Sequence, residues 1–517
     1  MLFCAISVPS SETGITLSMV LLLAFWLIDG NFKLKFQKLS RNRTAQFFIL
    51  IYIVHIFWLI NTTNFDFAIF DLRTKLAIVI FGVIFSTLPS LKVIEFRNVL
   101  LIFLITVLIS SILGTYLYNI ENQVDFRAYS PFISHIRFAL NVCMSIFILV
   151  FFLIHFDKYF KLAKKNKTFV KSIFVLIIIW FLYYLTIMQS LTGIGILFAI
   201  FVLLLFILFI RWNKNVIIKW IFLCLFFLVP LVSVLYVVRL YEKYSAKPKI
   251  KFENLDKFTK YGNQYFHDTI NYALENGKWT GLYLCEKELR KEWNKLSEKK
   301  YDSKDKNGFL ISSTVIRYLT SKDLRKDGDG LSQLTASDIK NIENGIANVE
   351  FVGNFGFKSR LHILFFEIYM FETTAGIKGS SVIQRLELLK NAFQIISKNP
   401  VFGVGTGDVG DEIAHELVIR KSALANSGMR THNQYVTFII SFGFFGFTLV
   451  LLSIFFMLYS GIKRNDLLFT VFYIIFLLSN ISEDTLESLH GAAFYSFFGA
   501  LFLFLQAESG IDDKNGT

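Results

Sequence analysis

The sequence predicts an all-α fold, a polytopic bundle of about 11–12 membrane-spanning helices with one large, mainly helical loop on the far side of the membrane. Three observations predict it. Hydrophobic residues make up 54% of the 517 positions and charged residues only 18%, more apolar surface than one soluble core can hide. Phe occurs 59 times against 6 Pro, which suits continuous apolar helices better than the alternating faces of a barrel. Apolar runs near the roughly 20 residues needed to cross a bilayer recur along the chain.

In chain order these runs fall at 14–29, 44–61, 74–90, 98–118, 138–155, 172–188, 192–210, 218–238, 433–460, 467–481 and 489–506. Met1–Pro9 is apolar but too short to cross, and is either an interfacial piece or half of a twelfth helix. Lys33, Lys35, Lys38, Arg41 and Arg43 follow the first span, Lys158 to Lys171 the fifth, and Arg211, Lys214 and Lys219 the seventh, so these loops belong on the cytoplasmic side. The loop Ser482–Leu489 carries Glu483, Asp484 and Glu487 without Lys or Arg, and alternation puts it outside. The expected organisation is membrane helices over 1–238, a loop domain over 239–431 outside the cytoplasm, membrane helices over 432–507 and a cytoplasmic tail over 508–517. Among the spans, charged residues are nearly absent and His55 is the main exception.

The formal charge of +14 lies in topology-setting clusters between apolar runs, which excludes nucleic acid as a partner. Cys4, Cys143 and Cys224 lie in apolar segments and only Cys285 in the loop, so neither a disulfide framework nor a zinc quartet is available. The N-terminus lacks a basic region and a small-residue cleavage site, so the first span is expected to stay. No Gly-x-x-x-x-Gly-Lys-Ser/Thr pattern occurs, and no nucleotide cofactor is expected.

The loop mixes aromatics, aliphatics and charges, as a folded segment does, with helices predicted at Ser337–Ala347 and Ser381–Ser397. Within it, Lys322–Gly330 reads as a solvated turn; its acidic spacing lacks the terminal Glu of a calcium loop, and no metal is expected. Three elements carry candidate chemistry: Gln384–Leu388 opening an amphipathic helix, Asn399–Asp408 closing it with Gly403, Gly405 and Gly407, and Thr431–Tyr435 entering a span. The glycine run is either a tight helix-terminating loop or a close backbone approach to an anionic group. A dinucleotide fold is excluded, because a helix and not a strand precedes it. His432 is either an interfacial hydrogen-bonded residue or a general base, and Arg385 either a helix-face residue beside Glu387 or an anion ligand.

Arg385-Leu-Glu, then Asn399-Pro-x-x-Gly-Val-Gly-x-Gly-Asp408, then His432-Asn433-Gln434-Tyr435 with Gly443 and Gly446 in the following span, resemble the O-antigen ligase family. Asn263–Trp279, Ile316–Ser321 and the order of spans are similar to members with an enlarged periplasmic loop. The resemblance implies a multi-pass protein of the bacterial inner membrane. It implies transfer of a glycan from an undecaprenyl-diphosphate carrier to an acceptor hydroxyl, the lipid A core being the leading acceptor, with neither metal nor nucleotide. The family's essential His falls on His432 as general base and its loop Arg on Arg385 as diphosphate ligand. Gly403, Gly405 and Asn433 stand beside them as candidate substrate contacts. Many members carry a further Arg where this chain has Leu191, and Arg360, Arg239 and Arg430 are the candidates to replace it.

Within the same class, a glycan polymerase or a protein O-oligosaccharyltransferase shares the carrier and differs in acceptor. A lipid or polysaccharide transporter is the reading from a different class, and predicts intramembrane charges or inverted repeats. A non-catalytic scaffold predicts that His432 and Arg385 are dispensable.

Overall fold

The computed structural model describes the chain except residues 121–125, 212–214, 306–307, 353–356, 375–380, 426 and 507–517. The tail 508–517 and the last position of the final predicted membrane segment thus lie outside the described residues. The fold is helical, and every one of the predicted apolar runs falls on a helix. Seven described helices are long and apolar enough to cross a membrane, or eight if the pair Glu12–Ile28 and Phe32–Arg41, bent by 114°, is one span. Leu467–Ser482 and Leu489–Phe504 are shorter apolar helices, and Phe65–Thr87 carries Asp66, Asp71, Arg73 and Lys75 in its first half. The bend after Ile28 comes from Gly30 and Asn31, both at positive φ (63° and 51°), after which the Lys-rich Phe32–Arg41 turns away from the span. The chain divides into two compact units, residues 1–201 with 384–517, and residues 202–383.

The first unit is built around Leu489–Phe504. Gly491, Ala492, Ala493, Gly499 and Ala500 keep this helix narrow, so neighbours pack on every side and nearly all of it is buried. Phe65–Thr87 packs along it, and Arg43–Phe57 packs in turn on Gln434–Lys463. Aromatic rings interlock the layers, with Phe47 stacked on Phe456 at 4.1 Å between centroids and Phe103 edge-on to Phe498 at 4.8 Å. The outward faces stay apolar, as Phe25 and Phe169 illustrate at 68% exposure each, which suits contact with lipid.

Helix Gln434–Lys463 is kinked at Gly443, which sits at φ 61°, ψ −173°. The break frees backbone acceptors and donors, and the glycine loop takes them up. Val404 donates to the Ile440 carbonyl and Gly405 to the Ser441 carbonyl, both at 2.9 Å, while Phe444 donates to the Pro400 carbonyl at 2.8 Å. A side chain at Gly443 would strike the Val401 backbone, and one at Gly403 the Ile440 carbonyl. The glycine run therefore exists to let two backbones touch.

The second unit contains the helix Val216–Ser245, packed on Phe357–Thr374 through Tyr244, Leu361 and Phe365, and a small domain with a core of its own. That domain's core is Trp293, Tyr301 and Tyr318 among Leu289, Val315, Leu319 and Leu331, contributed by Glu286–Leu296, Ile311–Ser321 and their neighbours. Its hairpin Leu274–Glu275 with Lys278–Trp279 turns at Asn276-Gly277, both at positive φ, the pairing such a tight turn requires. The segment Lys322–Gly330 is not the solvated turn the sequence suggests. Lys326 and Asp327 are buried, and Asp327 accepts from the Gly330 amide at 2.7 Å and from the Tyr265 hydroxyl, holding the turn against the core.

Candidate functional site

The site lies in the first unit, where the loop Ser482–Ser488 meets the N-terminal ends of Gln434–Lys463 and His135–Ile154. The acidic loop organises everything around it. Glu483 Oε1 accepts from Arg385 Nη2 at 2.5 Å; its Oε2 stands 3.6 Å from His432 Nδ1 and 3.8 Å from Arg137 Nη1. Asp484 Oδ2 accepts the His432 backbone N–H at 2.9 Å, and its Oδ1 accepts from Thr437 at 2.9 Å and Thr431 at 3.2 Å. Glu487 takes Lys75 Nζ, Arg430 Nη1 and Gln434 Nε2, each at 2.9 Å.

His432 occupies the left-handed region at φ 53°, an unfavourable conformation for a side chain of this size. Asp484 holds it there from the backbone, and Asn433 caps the next helix by accepting from the Val436 amide at 3.1 Å. The imidazole is thereby turned out of the helix toward Glu483, with its side chain one-third exposed. Strain maintained by dedicated hydrogen bonds is a mark of a functional position.

Burial pushes the Glu483 carboxyl up, but His432, Arg137 and Arg385 outweigh it and hold the group below the usual carboxylate range. Burial likewise raises Glu487, and the Lys75 and Arg430 cations bring it well below that range. Asp484 goes the other way, raised by burial and by the neighbouring Glu487 charge, against the hydrogen bonds from Thr437 and His432.

Beneath this layer lies a buried ion network. Lys75 pairs with Asp71 one turn earlier and with Glu487, and His55 Nε2 is 4.0 Å from Asp71. Charges this deep in an apolar bundle persist only when paired. The expectation that His55 is the main polar exception within the spans is thus corrected: Lys75 is 1% exposed inside a helix of the bundle. Arg137 is largely shielded, its side chain 11% exposed, and donates to the Asp484 carbonyl at 2.8 Å and to Ser488 Oγ at 3.1 Å. Beside it opens a cavity of about 620 Å³ lined by Glu12, Ser134, Arg137, Glu483, Ser488 and His490.

The sequence-predicted residues divide between these surroundings. His432 and Arg385 meet at Glu483, and Arg430 joins through Glu487. Asn433 spends its side chain on the helix cap and on the Ile481 carbonyl at 3.0 Å. The amides of Gly403, Val404, Gly405 and Gly407 donate to Asn399, Ile440, Ser441 and Thr62, so in this conformation the glycine loop is a packing element. Arg360, half-buried on Phe357–Thr374, and the exposed Arg239 on Val216–Ser245 belong to the second unit. Leu191 begins the helix Leu191–Arg211. Sequence reasoning missed Arg137, Lys75 and Asp71, and used the acids of Ser482–Leu489 only for topology. A lysine one turn after an aspartate at the head of an apolar run was the available signal.

Residues 351–451 match the family model described as O-Antigen ligase. The matched segment is similar to that family. It contains Arg385, the glycine loop and His432, while Arg137, Lys75 and the acidic loop lie outside it and pack against it. No curated protein matches the chain significantly. The match over residues 351–451 supports a relation to membrane glycosyltransferases of the ligase and polymerase type, and the apolar helices support a multi-pass membrane protein.

Proposed function

We propose that the protein transfers a glycan from undecaprenyl diphosphate to an acceptor hydroxyl at the periplasmic face of the inner membrane, with the lipid A core as acceptor. The observation that carries this reading is the convergence of one histidine and two arginines on a single carboxylate, Glu483. With Nδ1 turned toward Glu483, His432 has Nε2 free to face substrate and take the acceptor's proton. The acceptor oxygen then bonds to the anomeric carbon, the anomeric C–O bond breaks, and its electron pair leaves on the diphosphate. Arg385, whose planar fork carries several donors, offsets the charge that develops there. Arg137 sits across Glu483 from it, lining the adjoining cavity, and supplies a second cation for the leaving group in place of the arginine absent at Leu191. Glu483 keeps the cations and the imidazole in register before substrate arrives, and as a carboxylate held ionised it stabilises the imidazolium formed during transfer.

The test is reconstitution of the full chain with an undecaprenyl-diphosphate glycan and rough lipopolysaccharide. The expected result is glycan attached to the lipid A core together with release of undecaprenyl diphosphate. Donor consumption only when a free glycan or a protein acceptor is added would move the assignment to polymerase or protein glycosylation. Absence of donor binding would remove the enzyme reading.

A further inference from the structure

The second unit contains a cleft that the transfer chemistry does not use. A cavity of about 640 Å³ is lined by Asn271, Tyr272, Glu286, Phe309, Ser313 and Phe366. A second, of about 420 Å³, is lined by Asn263, Gln264 and Phe266, and it shares Tyr272 and Glu286 with the first. The two cavities share these side chains and so lie next to one another.

The lining indicates what the cleft accepts. Aromatic rings line it together with amides, hydroxyls and carboxylates, and large rings stand open: Phe309 is 67% exposed and Phe266 54%. Rings open to solvent beside polar groups can stack on a ligand's apolar faces. The first cavity's arginine, Arg317, is committed: its Nε and Nη2 donate to Glu275 at 2.7 and 3.1 Å, and its guanidinium lies 4.4 Å from the Phe366 ring centroid. Lys287 and Glu286 line the second cavity with opposite charges. Sugars match what remains, because their C–H faces stack on aromatic rings while their hydroxyls both donate to and accept from amides, hydroxyls and carboxylates. Two adjacent cavities of about 640 and 420 Å³ provide room for more than one sugar residue.

We infer that this cleft binds an oligosaccharide segment, distinct from the glycosyl centre, and so holds one of the two glycan substrates. The inference rests on the proposed glycan transfer for its choice of sugar, and its test does not require transfer. Lipid-free core oligosaccharide and lipid-free O-polysaccharide from the source organism are titrated separately into the detergent-solubilised full chain, followed by saturation-transfer NMR and calorimetry. Binding of core oligosaccharide assigns the cleft to the acceptor, and binding of O-polysaccharide assigns it to the donor glycan.

Phe309→Ala and Tyr272→Ala are expected to weaken binding at least tenfold, whereas Phe258→Ala, an exposed aromatic that lines neither cavity, leaves it unchanged. Phe309 is mostly exposed, so its truncation leaves the domain core intact and keeps the result interpretable. Failure of the wild type to bind either oligosaccharide, or wild-type binding by Phe309→Ala, overturns the inference. Binding without any transfer from a lipid-linked donor would instead count against the proposed reaction while leaving the cleft assigned.

Discussion

Asp484 Oδ2 accepts the backbone N–H of His432 at 2.9 Å, pinning an imidazole in the left-handed region two residues before a membrane helix begins. The neighbouring Glu483 engages the ring of the same histidine. One acidic loop thus sets both where the histidine sits and which nitrogen it turns outward.

Removal of the Asp484 carboxylate should release that turn. Asp484→Ala removes the acceptor of the His432 N–H, while Thr431 and Thr437 lose one partner but keep the 2.6 Å hydrogen bond between them. The expected cost is about 1–3 kcal/mol, with a corresponding loss of transfer even at temperatures where the protein stays folded. Thermal melting in detergent measures the first effect, and an activity assay well below the melting point measures the second.

Strain and chemistry at His432 separate by substitution. At φ 53° an alanine keeps the left-handed cost of roughly 1–2 kcal/mol while a glycine does not. His432→Gly should therefore melt above His432→Ala, with both equally inactive. Equal melting of the two variants would mean that the backbone relaxes on substitution.

The buried network below the site predicts a compensating pair. Lys75→Met leaves Asp71 and Glu487 buried with less countercharge, at an expected cost of about 3–5 kcal/mol. Adding Asp71→Asn should recover part of that loss, because a neutral amide no longer needs the ammonium. A double variant less stable than Lys75→Met would contradict the pairing.

Acidification provides a further check. Glu483 and Glu487 are held below the usual range, so each contributes stability above its unfolded value, roughly 4.3, and loses it as pH falls through the lower folded value. Asp484, raised on folding, contributes in the opposite sense: its stabilisation is present below its unfolded value and is lost as pH rises toward the folded one. Two depressed groups against one raised make the melting temperature fall on going from about pH 5 to pH 3. Glu483→Gln should flatten that dependence, and a melting temperature that rises on acidification would refute the assignment.

Much of the fold was legible because hydropathy reports a solvent, and lipid as solvent demands long apolar helices. Runs such as 98–118 and 433–460 could hardly be anything else. Orientation cues led the acids of Ser482–Leu489 to be placed as topology, when their larger role is to bind Arg385, Arg430 and His432. That role depends on hydrogen bonds across 52 to 98 positions of chain, as between Glu483 and Arg385, which no local pattern encodes. Arg137 was hidden for the same reason. The glycine run was visible as an unusual backbone, but its partner, the kink at Gly443, lies some forty positions on, so spacing alone left packing and anion binding open.

The most direct test of the central claim is single-turnover transfer from a radiolabelled undecaprenyl-diphosphate glycan by purified His432→Ala, at saturating acceptor and with donor binding recorded in parallel. General-base catalysis by His432 predicts a rate at least about 10²-fold below wild type with donor still bound. Transfer by the variant at the wild-type rate would show that the acceptor proton goes elsewhere, and the role assigned to His432 and Glu483 would fall.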